Sequence, residues 1–198
     1  NTTGYLNVAI GESSLGANTT GNQNVAIGTY SLTSNTTAGG NTAVGSYASY
    51  YNTTGHSNVG IGYESLRFNS TGDYNVAVGR FSLNGANGSS SDDNTALGYK
   101  AGYAITSGSD NVAVGSSALV ANTTGTRNIA IGYKAYDGAD TENDNLAIGY
   151  DALGGSVAGG EYNVAIGNYS MDALNSGDKN TGVGYNALTA LTTGSWNT

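Results

Sequence analysis

Cysteine and proline are absent from this 198-residue chain, and histidine, methionine and tryptophan occur once each. Without cysteine there is no disulfide framework and no thiolate metal site. Two Phe and one Trp are too few large apolar side chains to fill an ordinary globular core, so stability has to come from backbone ladders and stacked small side chains. Basic residues are scarce as well: six Lys and Arg face fourteen Asp and Glu, for a net charge of -8. Phosphate binding relies on clustered cations, so nucleic acid is not an expected partner, and anionic membrane surfaces are disfavoured likewise. No apolar run approaches the roughly 20 residues of a bilayer-spanning helix, and the first residues do not read as a secretion signal. Membrane insertion of this segment is not expected.

What the chain does have is glycine, thirty-two residues of it, and one phrase that keeps returning. Asn7-Val8-Ala9-Ile10-Gly11 recurs from Asn24, Asn41, Asn58, Asn75, Asn94, Asn111, Asn128, Asn145, Asn163 and Asn180, which makes eleven full copies. Nine of the eleven intervals from Asn7 to Asn197 are 17 residues long, with one of 19 after Asn75 and one of 18 after Asn145. A fixed period of this size marks a stacked solenoid. The repeat fills residues 1–198 and reads as one domain. Because both ends fall inside a repeat, the chain reads as a piece of a longer fibre.

With the Asn counted as position 1, positions 2 and 4 hold Val, Ile, Leu or Thr, and positions 3 and 5 hold only Ala or Gly. Large and small residues alternate with period two, which is strand geometry. A helix is excluded, since no 3.6-residue stripe appears and a Gly recurs in every unit. Positions 6 to 9, with Ser or Ala at 8 and usually Leu at 9, read as a second short strand. Asn-Thr-Thr-Gly at 18–21, 52–55 and 122–125 is turn chemistry. The longer units carry their extra residues there, at Asn84 to Asp93 and Gly154 to Tyr162. The expected fold is an all-β parallel β-roll of two-stranded coils, about 50 Å long at the usual strand spacing. Asn at position 1 would form an amide ladder up the stack.

If Val8 and Ile10 face the interior, Ala9 and Gly11 face outward. Such a strip of small residues (Ala9, Gly11, Ala26, Gly28, Ala113, Gly115, Ala130, Gly132, Ala165 and Gly167) suits close approach of another chain. The reverse assignment, with Val and Ile outside, demands a partner still more strongly. Either way a roll with so little core of its own is expected to be a homo-oligomer.

Candidate chemistry is sparse. His56 sits at a turn position with no partner for catalysis or metal binding, so neither an enzyme nor a cofactor site is expected. The acidic residues Asp92, Asp93, Asp110, Asp137, Asp140, Glu142 and Asp144 gather on the turn edge. Their oxygens suit calcium, but the glycine-aspartate nonapeptide of calcium-binding rolls is missing, and solvation accounts for them. Tyr30, Tyr47, Tyr63, Tyr99, Tyr133, Tyr150, Tyr169 and Tyr185, at positions 6 and 7, would line up as a partly exposed aromatic stripe. It either covers the edge of the roll or offers a face to a sugar or a protein. Asn18, Asn35, Asn52, Asn69 and Asn122 match the glycosylation acceptor pattern, though turn chemistry explains them without sugar.

The phrase Asn-Val-Ala-Ile-Gly with Ser or Ala three residues on, as in Asn24 to Ser31 and Asn163 to Ser170, resembles the head repeats of the YadA-type trimeric autotransporter adhesins. The form Asn180 to Leu188, taken with an Asn-Thr-Thr-Gly turn such as 122–125, is also similar to repeats of bacteriophage tail-fibre-like proteins. The resemblance spans essentially the whole chain, but the period of 17 here exceeds the shorter period typical of the adhesin heads. It implies a left-handed parallel β-roll in a side-by-side homotrimer, on a bacterial surface or virion fibre. A rigid structural and adhesive segment is the function expected, presenting a part that binds a cell-surface glycan or protein receptor. The alternative is a monomeric ligand- or ice-binding solenoid.

Overall fold

A computed structural model describes residues 2–138, 140–155 and 160–198. Among them each coil contributes one three-residue strand: β1 (Val8–Ile10), β2 (Val25–Ile27), β3 (Thr42–Val44), β4 (Val59–Ile61), β5 (Val76–Val78), β6 (Thr95–Leu97), β7 (Val112–Val114), β8 (Ile129–Ile131), β9 (Leu146–Ile148), β10 (Val164–Ile166) and β11 (Thr181–Val183). They form one eleven-stranded parallel sheet in chain order. Equivalent residues stack on one another, Val8 on Val25 and Ala9 on Ala26, then Ala26 on Ala43. The chain is an all-β parallel solenoid.

Strand length is set by the residues at its two ends. At position 1 the Asn side chain takes over the ladder: Asn7 Oδ1 accepts the Asn24 N–H at 2.9 Å, Asn24 Oδ1 accepts that of Asn41 at 3.0 Å, and the relay continues to Asn197. Each Nδ2 meanwhile holds the far end of its own coil, as Asn24 does by donating to the Ala38 carbonyl at 2.9 Å. At position 5 the Gly backbone lies at φ between 127° and 140°, a conformation that other residues rarely adopt.

Positions 6 to 9 are not a second strand. The chain there makes linked turns, with Ser31 N–H donating to Gly28 O at 3.2 Å and Asn35 N–H to Leu32 O at 3.2 Å. Positions 7 and 9 are left-handed, as at Tyr30 (φ 59°) and Leu32 (φ 47°). The physical reason lies in burial: Ala48 and Ser49 at positions 8 and 9 are both buried, and a strand cannot send consecutive side chains to one side. Coil-to-coil hydrogen bonds persist through the turns, from Tyr30 back to Glu12 at 2.8 Å and from Leu32 on to Ala48 at 3.0 Å.

The core lies between the strand and these turns. It is built from Ala at position 3, Leu at position 9 and Ala or Ser at position 8. Buried Ser hydroxyls donate to a turn carbonyl, as Ser31 does to Gly28 O at 2.9 Å. The apolar core divides into two clusters, one ending at Ala48 and the other starting at Leu66. The gap falls where Ser49 replaces the position-9 Leu and Gly60 replaces the position-3 Ala. A second Asn column, at position 12, runs beside the first coils: Asn35 Nδ2 donates to Asn18 Oδ1 at 2.9 Å and Asn52 Nδ2 to Asn35 Oδ1 at 3.0 Å. The insertion at Asn84 to Asp93 sits on the loop edge, where Asn69 bridges to Ser89. The other insertion, Gly154 to Tyr162, falls partly outside the described residues.

Candidate partner-binding surface

The strands present the opposite face outward from the one that the small-residue strip would require. Ala26, Ala113, Ala130 and Ala165 are buried in the chain's own core, so they cannot form a contact strip; Ala9, in the first coil, is exposed. The narrow interior is filled mainly by the large residue at position 9, with Ile105 and Leu174 buried at position 12 of their coils, leaving only an Ala-sized space beneath the strand. The glycines serve the stack itself. A Cβ on Gly28 would lie 2.5 Å from the Gly45 oxygen, one on Gly11 would lie 2.7 Å from the Gly28 oxygen, and Gly115, Gly132 and Gly167 abut the next glycine in the same way. Small residues at positions 3 and 5 thus answer to packing within one chain.

The large residues at positions 2 and 4 are the outward face. In every coil they are half-buried or exposed, with Ile61 at 39%, Leu97 at 38% and Ile131 at 37% in the interior of the stack. Strand twist and the pleat align them as two aliphatic columns on one sheet face. Thr42, Thr95 and Thr181 at position 2 interrupt the aliphatic composition without changing its shape. The polar-tolerant position 2 against the strictly small position 3 was the signal in the sequence for this orientation.

All eight tyrosines of the stripe lie beside this face in two runs. Tyr30 stacks on Tyr47 at 5.2 Å, and the column continues through Tyr63, Phe81 and Tyr99. A second run joins Tyr133 to Tyr150 at 5.3 Å, then Tyr169 and Tyr185. Ser116 and Ser117 occupy positions 6 and 7 of the coil between the runs. The neighbouring Glu12 carboxylate raises the Tyr30 pKa above its ordinary range, and a hydrogen bond with Glu64 does the same for Tyr63.

The turn edge has structural occupations that its residue types did not announce. Position 16 is an acceptor column for backbone N–H groups of the preceding coil. Asn22 Oδ1 takes that of Tyr5 at 2.9 Å, His56 Nδ1 that of Gly39 at 3.0 Å, Asp73 Oδ1 that of His56 at 2.6 Å and Asp92 Oδ1 that of Asp73 at 2.7 Å. His56 is thus one acceptor among many. Of the other acidic residues, Asp144 forms a forked ion pair with Arg127 at 2.7 and 2.8 Å, and Glu142 accepts the Asp140 N–H at 2.9 Å. Among the described residues no three His, Cys, Asp or Glu converge as a metal site. Asn18, Asn35, Asn52, Asn69 and Asn122 are buried in the folded chain, where the amides of the first four serve the turns. Among the described residues no helix is long and apolar enough to cross a membrane.

No protein-family model, curated protein or solved structure matches this chain.

Proposed function

We propose that this chain is a rigid segment of a homotrimeric extracellular fibre, built from left-handed rolls standing side by side with their aliphatic sheet faces together. The observation that carries the reading is the exposed face itself: two outward positions per coil through eleven coils, aliphatic except for Thr42, Thr95 and Thr181. Covering a half-exposed Val or Ile contributes about 1 kcal/mol, and a contiguous exposed aliphatic face is the kind of surface that marks an interaction site. The resemblance to YadA-type head repeats and tail-fibre-like repeats points to three copies and to a bacterial surface or virion. In-register backbone ladders suit a load-bearing spacer that holds a receptor-binding part at a distance, with no catalysis in the segment. Three copies would also make any weak glycan or protein contact multivalent.

Sedimentation of the chain fused to capping coils tests this. The wild type is expected to sediment as a trimer, and the variant Ile27→Lys/Val78→Lys/Ile131→Lys as a folded monomer with an unchanged far-UV spectrum. A wild type that stays monomeric at high concentration overturns the proposal. One observation favours a second reading, a monomeric water-ordering solenoid: Thr20, Thr37, Thr54, Thr71 and Thr124 at position 14 form an exposed hydroxyl column on the turn edge. Inhibition of ice recrystallisation by a monomer would support that reading.

A further inference from the structure

Positions 10 and 11 are small or short in most coils, as in Gly16-Ala17, Thr33-Ser34 and Val120-Ala121. Three coils in one stretch depart from this with Tyr50-Tyr51, Arg67-Phe68 and Tyr103. The roll closes without these large residues elsewhere, so its packing does not require them. The same stretch is where cations and carboxylates come closest to balance: residues 41–109 hold three Lys and Arg against four Asp and Glu, while the remaining residues hold three against ten.

Two of those cations are held ready by aromatic rings alone. The Arg80 guanidinium lies 4.6 Å from the Phe81 ring centre and 5.6 Å from that of Tyr63. The Lys100 ammonium lies 5.6 Å from Tyr99 and 5.3 Å from Tyr103. They occupy successive coils, with the Lys100 N–H donating to the Arg80 carbonyl at 3.1 Å. The ion pairs among the described residues involve Arg67, Arg127 and Lys134, and neither of these two. Both stacked and angled ring pairs occur along the aromatic columns. The Tyr30–Tyr47 and Tyr133–Tyr150 pairs lie nearly parallel, at 26° and 22°, and occlude one another's faces. Phe81 meets Tyr63 at 79°, Tyr99 at 60° and Tyr103 at 86°, so these rings meet at an angle and do not stack face to face.

We infer that Arg80 and Lys100, with Tyr63, Phe81, Tyr99 and Tyr103, form a binding site for an acidic polysaccharide. The cations receive carboxylate or sulfate groups through charge-assisted hydrogen bonds, and the ring faces receive the apolar faces of the sugars. The four rings span three successive coils, with Tyr99 and Tyr103 in the same one, and neighbouring centres along the column lie 5.6 and 6.3 Å apart. Cation–π contacts hold both charged heads in place before the ligand arrives, which lowers the ordering cost of binding. A nucleic acid fits poorly, because its affinity rests on several phosphate contacts and the site offers two cations. The site lies within one chain and does not depend on the fibre reading.

Titration calorimetry with four polymers tests the inference: polygalacturonate, dextran sulfate, neutral dextran and polyphosphate. Binding of polygalacturonate or dextran sulfate is expected, with affinity falling at least about tenfold in Arg80→Gln/Lys100→Gln and clearly in Tyr63→Ala/Tyr99→Ala. Tyr133→Ala/Tyr150→Ala, in the other aromatic run, should leave it unchanged. No binding of either acidic polysaccharide overturns the inference, as does indifference to the Arg80 and Lys100 changes in protein shown by circular dichroism to be folded. Equally tight polyphosphate binding would reduce the site to charge alone, and equally tight neutral dextran binding would remove the role of the cations; either refutes it. Sedimentation of the same samples reports separately on the fibre reading.

Discussion

At the residue scale, the chain asks for unusual backbone angles in every coil and places glycine at only some of them. Gly28 has no substitute: its φ is 133°, and a Cβ would sit 2.5 Å from the next coil's carbonyl. Gly28→Ala should lower stability by at least about 2 kcal/mol, read as a shift in thermal or denaturant midpoint. Ser57, at position 17, has φ 56° and is exposed, while the preceding coil has Gly40 at that position. Left-handed angles cost a non-glycine residue about 1 kcal/mol, so Ser57→Gly should be neutral or slightly stabilising. Tyr136 fills a position usually held by Leu, and its hydroxyl accepts a hydrogen bond from Asn145 Nδ2 at 2.6 Å. Burial, and after it the Glu142 charge, raise its pKa well above the ordinary 10.0. A phenol whose folded pKa is raised contributes its full stability below the unfolded pKa and loses it as pH rises beyond. Stability should therefore start to fall above about pH 10, and Tyr136→Phe should flatten that fall in denaturant titrations between pH 8 and 11.

At the scale of the coil, each element is held by its neighbours more than by itself. A three-residue strand has no stability alone; the Asn relay and the in-register Ala column supply it. The apolar core is interrupted at Ser49 and Gly60, where the coils stay joined by the Asn column, the β3–β4 ladder and the hydrogen bonds of the turns. A Cβ on Gly60 would meet Ser49 Oγ at 2.8 Å, so both positions must change together. Ser49→Ala/Gly60→Ala should raise stability by about 1 kcal/mol through added apolar burial and lower chain entropy in the unfolded state. Hydrogen exchange should show the protection of coils 1 to 3 and of coils 4 to 11 converging in that variant. Gly60→Ala alone should destabilise.

At the scale of the whole molecule, one sheet face stays unsatisfied after the chain has folded. If copies cover it, folding is linked to association, and the thermal midpoint should rise with protein concentration. Scanning calorimetry over a hundredfold concentration range checks this, and a constant midpoint would mean the face is solvated in the native state. The aliphatic face and the Arg80–Lys100 patch are chemically distinct surfaces, so assembly and ligand binding can be lost one at a time.

Period, coil number and the strand at Asn7 to Gly11 were legible in the residues, because each copy of a repeat must stack on the next and so must keep its spacing. The Asn ladder was legible for the same reason. Only the tertiary structure decided which way the strand faces and how the chain runs on after Gly11. Alternation by itself leaves two faces equivalent, and the choice came from how little space lies beneath the strand once Leu32 and its equivalents fill the interior. The left-handed turns at positions 7 and 9, and the acceptor column at position 16, depend on hydrogen bonds between residues about 17 apart. No local propensity in Tyr30, Leu32 or His56 announces them, since the geometry that rewards them exists only once a second coil has been laid on the first.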